Sequence, residues 1–422
     1  MAKDQKSFFH EKKPWSQVKD DLLACYLKPY FQKVLTTGQP VRYIDCFAGR
    51  GDFDDGSLGS PLIALSIARH CVQQSRSPNT DICMYFIEAI LGSDLERVLA
   101  TRGQAQSSMI DYMVVKGRFQ QQARPLITKL AGSNVFIYVD PYGIKDLDFN
   151  LISGFGHPGR KLNSVEILIN FNSFGFVRAG CAALKVQCKN EAAEDDDTGE
   201  FDTMEDISVD LPGGELADRL NAVAGGDYWQ AVVQRYSNGE LNWYDAEQQF
   251  ADLYCKKLAE TYKYALSMPI RLAAGRPPKY RMVYATNHPV GCILMADNMM
   301  LRTDNLYIHL PAHAQGSLFD QDVEGGVTDP SDILAQVHAV TEGLSDYTDV
   351  DQVIASVYVR AGVVCKSNVI RDALKQMEND GTIEVSRLPE HTDAGKPTAF
   401  FNTGHGHKVK VRQAGRGTAC PS

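Results

Sequence analysis

Between about residues 15 and 310, short apolar runs alternate with stretches whose apolar residues recur at helical spacing. No other feature of the chain restricts its fold as strongly. The runs fall at 41–47, 82–87, 112–115, 135–139 and 165–171, and helical patterns lie between them at 61–72 and 120–130. A leading helix is expected over 15–35, closed by the breaker Thr37-Gly38-Gln39-Pro40. Strands that alternate with helices imply βαβ units, hence an α/β fold with a parallel, Rossmann-like sheet covered on both faces. The segment 280–286 followed by a helix at 291–298 reads as a completion of that sheet, and 201–264 as a mostly helical insertion.

At 422 residues the chain exceeds what one core ordinarily supports, so a second, smaller domain is expected. The pattern changes near Gly325-Gly326 and Pro330. Helices are predicted at 332–341, 350–358 and 368–379, the last with Val369, Ile370, Ala373, Leu374 and Met377 on one face. It stops at Asp380-Gly381, ahead of a strand at 382–387, a turn at Gly395-Lys396-Pro397 and a return strand at 398–402. Helices followed by a hairpin predict a winged helix. The expected division is a Rossmann-like domain over 1–325 with an insertion at about 180–265, a winged-helix domain over 326–403, and a disordered tail over 404–422.

Composition narrows the function classes. Lys and Arg number 43 against 52 Asp and Glu, a net charge of −9, so the chain is not a uniformly basic nucleic-acid binder. Much of the deficit is local: 191–210 is acidic without a Lys or Arg and reads as a solvated insertion. The ten cysteines are scattered with no C-x-x-C spacing, which disfavours a zinc or iron–sulfur site, and no metal is expected. Without an apolar run long enough to span a bilayer or a signal-like start, the expectation is a cytoplasmic protein with no membrane partner.

The chemistry-bearing residues gather where the predicted strands end. After the first run comes Asp45-Cys46-Phe47-Ala48-Gly49-Arg50-Gly51, a carboxylate followed by two glycines that let backbone pass close to a ligand. Ser60 reads as the cap of the next helix and Pro61 as its first residue, leaving 52–59 as an extra loop. Glu88 ends the second run, where one carboxylate can accept both hydroxyl protons of a ribose. Phe119 follows the third and is placed to pack on an adenine or in the core. Such a set suits S-adenosylmethionine. The fourth run delivers Asp140-Pro141-Tyr142-Gly143, a turn that can accept amine protons and stack an aromatic on a base, so Asp140, Pro141 and Tyr142 are the catalytic candidates. Asn170, Asn172 and Phe174 after the fifth run, and His288 after a later one, are candidates for holding a substrate. Residues 10–15 with Lys19 suggest a basic lip, and Lys366, Arg371, Lys375 and Arg387 suggest docking of nucleic acid by the second domain.

The segments HEKKPWSQVKDDLLACYLKPYF, YIDCFAGRGDFDDGSLGSPLIAL, YVDPYG, ILINF and MVYATNHPVGCILM occur in order over roughly residues 8 to 310. Together they resemble the three-Cys-motif partner family. The resemblance implies a class I S-adenosylmethionine-dependent methyltransferase fold and a genomic neighbour that looks like a radical S-adenosylmethionine protein. Two functions follow as expectations: methylation of an exocyclic base amine in nucleic acid, or a non-catalytic cofactor-binding partner of that neighbour.

Overall fold

The computed structural model describes residues 9, 10, 12, 14–75, 81–102, 110–188, 213–270, 280–309, 330–404 and 406–414. The chain forms two compact units, one of Met1–His288 with Asp304–Asp320 and one of Pro289–Thr303 with Gln321–Ser422. The expected boundary at 325 therefore shifts, because the segment Pro289–Thr303 belongs with the carboxyl-terminal unit. The acidic run 191–210 lies outside the described residues.

The first unit is built on a seven-stranded sheet. Its strands are β1 (Val41–Asp45), β2 (Ile82–Glu88), β3 (Ile110–Lys116), β4 (Asn134–Val139), β5 (Ser164–Phe171), β6 (Tyr264–Ile270) and β7 (Tyr280–Thr286). The order is β3-β2-β1-β4-β5-β7-β6. The first five strands pair in parallel, whereas β7 runs antiparallel to both β5 and β6. The sheet is thus Rossmann-like and mostly parallel, with one reversed strand inserted, a reversal that the apolar runs alone do not predict. Strand β6 follows the stretch read as helical, which ends at Tyr264, and is a strand the apolar runs did not mark. It is an edge strand containing Pro269, and an edge tolerates proline because one side of the ladder has no partner.

Every residue of β4 is buried, as expected for a central strand covered on both faces. On one face, α1 (Pro14–Leu35) buries Leu22, Leu23, Tyr26, Leu27, Tyr30 and Phe31, and Tyr26 and Tyr30 lie 5.7 and 5.1 Å from the Phe136 ring. The other face carries Ile137, Val139, Ile167 and Ile169, which share a core with Trp229, Phe250 and Tyr254 of the insertion helices. Those helices are α7 (Gly213–Ala224), α8 (Trp229–Ser237) and α9 (Trp243–Leu258). The parallel layers also use α2 (Ser60–Gln74), α3 (Gly92–Arg102), α4 (Phe119–Ile127), α5 (Phe149–Phe155) and α6 (Ser173–Leu184).

One carboxylate is buried under α1. Glu166 is 5% exposed and accepts from the hydroxyls of Tyr26 and, at 2.7 Å, Tyr284. Burial pushes its pKa up to about 7, against the pull of the two tyrosine hydrogen bonds. A raised acid binds its proton more tightly in the folded state, so its contribution to stability declines as pH rises from the unfolded value of about 4.3 through about 7. Urea unfolding across that window is expected to show this decline, and Glu166→Gln to flatten it; an unaltered slope would contradict the assignment.

The second unit contains the described residues of α10 (Pro289–His309) up to Thr303, together with α11 (Pro330–Thr341), α12 (Val350–Ala361) and α13 (Ser367–Asn379). Its three-stranded sheet comprises β8 (Thr348–Asp349), β9 (Ile383–Leu388) and β10 (Lys408–Gln413) in the order β8-β10-β9. The partner of β9 is therefore Lys408–Gln413, paired antiparallel from Lys408↔Leu388 to Gln413↔Ile383, and residues 398–402 form no strand. The tail expected to be disordered thus supplies a strand. Its alternation buries Val409 and Val411, a period-two signal hidden by the lysines between them.

Helix α13 begins with a cap supplied from elsewhere in its unit. Asp297 on α10 accepts from Ser367 N and Ser367 Oγ, both at 2.6 Å. A carboxylate there satisfies an otherwise unpaired amide and meets the positive end of the helix. Asp297→Ala is expected to destabilise this unit by about 1–2 kcal/mol in denaturant unfolding.

Candidate functional site

In an open α/β sheet, ligands bind beyond the carboxyl ends of the parallel strands, at the point where the strand order reverses. Here that point lies between β1 and β4, whose ends carry Asp45 and Asp140. The glycine loop leaves β1 under tight control: Cys46 N donates to Tyr138 O, Ala48 N to Ile87 O, and Gly49 N to Glu88 Oε2. Gly49 and Gly51 adopt φ of +63° and +95°, in the left-handed region that side chains disfavour. A Cβ on Gly51 would also lie 2.8 Å from Leu95 Cδ1.

Asp45 is enclosed. It is fully buried and accepts from Ser60 Oγ at 2.6 Å and Phe47 N at 3.2 Å. Burial pushes its pKa up to about 7, opposed by those two hydrogen bonds and supported by Asp140 and Asp20 nearby. Its carboxylate braces the loop from beneath. Ser60 is accordingly not the helix cap: Gly59 takes that position, and the serine hydroxyl serves Asp45. The extra loop 52–59 is ordered as a small bridge between Asp52 and Leu58, with Arg50 paired to Asp52 and Asp54.

Glu88 stands at the tip of β2, half-buried, and its carboxylate is already engaged. Oε2 accepts from Gly49 N, and Oε1 from Ile90 N at 2.8 Å and Leu91 N at 3.0 Å. A carboxylate has about four acceptor sites, so a ribose diol taking two of them would displace one of these three amides. Phe119 is 2% exposed with its ring 5.4 Å from that of Phe47, so it belongs to the core.

Asp140 has a partner that the sequence did not reveal. Lys19 Nζ, from α1, donates to Oδ1 at 2.9 Å and Oδ2 at 3.0 Å. Asn170 Nδ2 adds a bond to Oδ1 at 2.7 Å, and Tyr138 OH one to Oδ2 at 3.2 Å. Burial works against the Lys19 ammonium, but Asp140 and Tyr280 outweigh it and hold its pKa above the usual lysine value. The neighbouring Lys12 pairs with Asp20 at 2.5 Å, and burial raises Asp20 to about 6 despite that pairing. Of the expected basic lip, Lys12 and Lys19 each face a carboxylate, and Lys13 lies outside the described residues. Beyond the strand end, Tyr142 is 51% exposed.

The remaining candidates divide. Asn170 joins the site through Asp140. Asn172 instead caps α6, accepting from Gly175 N at 2.7 Å. The Phe174 ring is half-buried, lies edge-on to Trp243 at 4.7 Å and carries the Arg178 guanidinium at 5.6 Å, so it packs within the insertion. His288 is corrected by topology. Because β7 runs opposite to β5, Thr286 pairs with Glu166 while Arg281 pairs with Phe171. His288 follows Thr286 and so leaves the sheet at the far edge, some five residues or about 17 Å of strand from the site. In the second unit, Lys366 just ahead of α13 and Lys375 on it are exposed, and Arg371 donates to Ser367 Oγ. Arg387 is spent on a two-pronged pair with Glu378, at 2.6 and 2.7 Å, whereas Lys408 and Lys410 on β10 are exposed.

Among the described residues no group of His, Cys, Asp or Glu is arranged to hold a metal ion, and no helix is long and apolar enough to cross a membrane. No family model and no curated protein matches this chain. The crystal structure of SCL7 in Oryza sativa is similar over 63% of this chain and 83% of its own, at 11% identity and a TM-score of 0.26. A likeness that faint carries no argument.

Proposed function

We propose that the first unit is a class I methyltransferase domain that binds S-adenosylmethionine and serves an exocyclic base amine in nucleic acid. The observation that carries this reading is the gathering of four elements at one edge of the sheet. They are the Phe47–Gly51 backbone, Glu88, the Asp140-Pro141-Tyr142 turn and Asn170, at the ends of four adjacent parallel strands astride the order reversal. The antiparallel β6–β7 pair beyond β5 distinguishes this sheet from an all-parallel dinucleotide-binding one. The Phe47–Gly51 turn at the end of β1 is the segment assigned to the methionine end, and Glu88 suits the ribose once one amide bond is exchanged. When bound, the cofactor supplies an electrophilic methyl group on sulfur. The residues of this chain contribute orientation: Tyr142 offers a ring for the base, and Asp140 with Asn170 sets the polar wall beside it.

In this proposal the second unit is a winged helix, with α13 as its recognition-type helix and β9–β10 as its wing. Lys366 and Lys375, joined by Lys408 and Lys410, are its candidates for phosphate contact. One observation favours the alternative of a non-catalytic partner to a radical S-adenosylmethionine-like protein: the acceptor sites of Asp140 are filled by donors of the chain itself.

Calorimetry with S-adenosylmethionine and its demethylated product tests the cofactor. Binding is expected, with loss in Gly51→Val, whose side chain would meet Leu95 in a backbone conformation it resists. Absence of binding would overturn the domain assignment. Tritiated methyl transfer to DNA, tRNA or total RNA then separates the enzyme from the partner.

A further inference from the structure

Asn170 is 3% exposed, and its Oδ1 is buried with no hydrogen-bond partner. Leaving such an acceptor buried and unpaired is costly, so an orphan beside a candidate site points to a donor that arrives from outside. Its direction follows from its neighbour. Asp140, paired with the Lys19 ammonium, offers only acceptors, so the amide must turn its Nδ2 to Asp140 Oδ1 and its Oδ1 away. Three residues on, at the start of α6, Ser173 Oγ is likewise buried and unpartnered, so the end of β5 carries two unsatisfied polar groups.

We propose that Asn170 Oδ1 is the acceptor for the N–H of the substrate's exocyclic amine, while Asp140 positions Asn170 and takes no substrate proton itself. The proposal rests on the reading above that a base amine enters this edge, and it names the atom that receives it. The chain of contacts runs from Lys19 to Asp140 to the Asn170 amide. Lys19 holds the carboxylate from one side, the carboxylate fixes the amide's orientation, and the carbonyl end is thereby presented to the amine. A ligand with a carbonyl or a bare C–H in place of the amine leaves the orphan unsatisfied or sets two acceptors against each other. Selection is then by the presence of an N–H donor.

The test titrates the full chain with three nucleoside pairs: adenosine against purine riboside, cytidine against uridine, and guanosine against inosine. In at least one pair the amine-bearing member is expected to bind about tenfold more tightly, the equivalent of about 1.4 kcal/mol. In Asn170→Ala that preference is expected to shrink below about threefold. No preference in any pair, or a preference that survives Asn170→Ala, would overturn the proposal. The wild-type comparison needs no variant, so a folding defect in Asn170→Ala leaves the proposal open to refutation. S-adenosylhomocysteine is titrated in parallel. Its binding without a base preference removes the role of Asn170 alone, and a base preference without its binding removes the cofactor reading alone.

Discussion

Glu247→Ala is expected to destabilise the first unit by about 3–5 kcal/mol, the largest effect foreseen for any single side chain outside the site. Glu247 and Arg281 are 1% and 2% exposed, and the guanidinium grips both carboxylate oxygens at 2.6 and 2.7 Å. Gln248 and Ser267 complete its bonds at 2.6 and 3.2 Å. The pair ties helix α9 of the insertion to strand β7 of the sheet. Arginine cannot shed its charge in a protein, so removal of Glu247 strands a buried cation. Asp252 acts on it only through space, and two neutral partners cannot offset its lost hydration. Denaturant unfolding followed by tryptophan fluorescence reads the effect directly, since Trp229 and Trp243 lie in the same insertion. The double replacement Glu247→Leu with Arg281→Met should recover most of the loss, because buried ion pairs are replaceable by apolar groups of similar volume. A single mutant within about 1 kcal/mol of wild type would refute the argument.

Lys19→Met comes second, with an expected loss of about 2–3 kcal/mol. The figure is reduced from the fully buried case because the Asp140 side chain keeps 22% of its surface exposed. The methylene stem is retained, so the loss reports the charge. Asp140→Asn combined with Lys19→Met should return much of the stability, giving a coupling of about 2 kcal/mol in a double-mutant cycle. Additive single effects would mean that the two groups do not act as a pair. The pH dependence has a definite sign. The folded-state lysine pKa is raised, so its contribution is complete below the unfolded value of about 10.4 and is lost as pH climbs beyond it. Asp45 and Asp20, raised to about 7 and about 6, act at the other end of the scale. Like Glu166, they favour the folded state less as pH rises from the acid range toward neutrality.

What could be read in the sequence, and what could not, separates along physical lines. Strands β1, β2, β4 and β5 were visible because a strand buried on both faces is a continuous apolar run. Strand β10 was not: its valines sit between exposed lysines, and only pairing with β9 and β8 defines it. The direction of β7 was equally hidden, since an apolar run carries no sign. That sign moved His288 from the site to the opposite edge. Phe174 and Asn172 have residue types suited to a base, yet local demands claimed them, one for aromatic packing and one for a helix cap.

The Asp45–Gly51 loop, the acid at Glu88 and the Asp140-Pro141-Tyr142 turn were determined by the sequence alone. Each is a local pattern in which strand end, glycine and carboxylate are adjacent in the chain. Their convergence on one edge also followed, because parallel βαβ units place successive strand ends together. Only the tertiary structure decided the state of the carboxylates. Lys19 lies 121 residues from Asp140, Ser60 fifteen from Asp45, and Gly49 thirty-nine from Glu88. Such partners are chosen by packing across the sheet, and no spacing along the chain encodes them. The same packing left Asn170 Oδ1 without a partner.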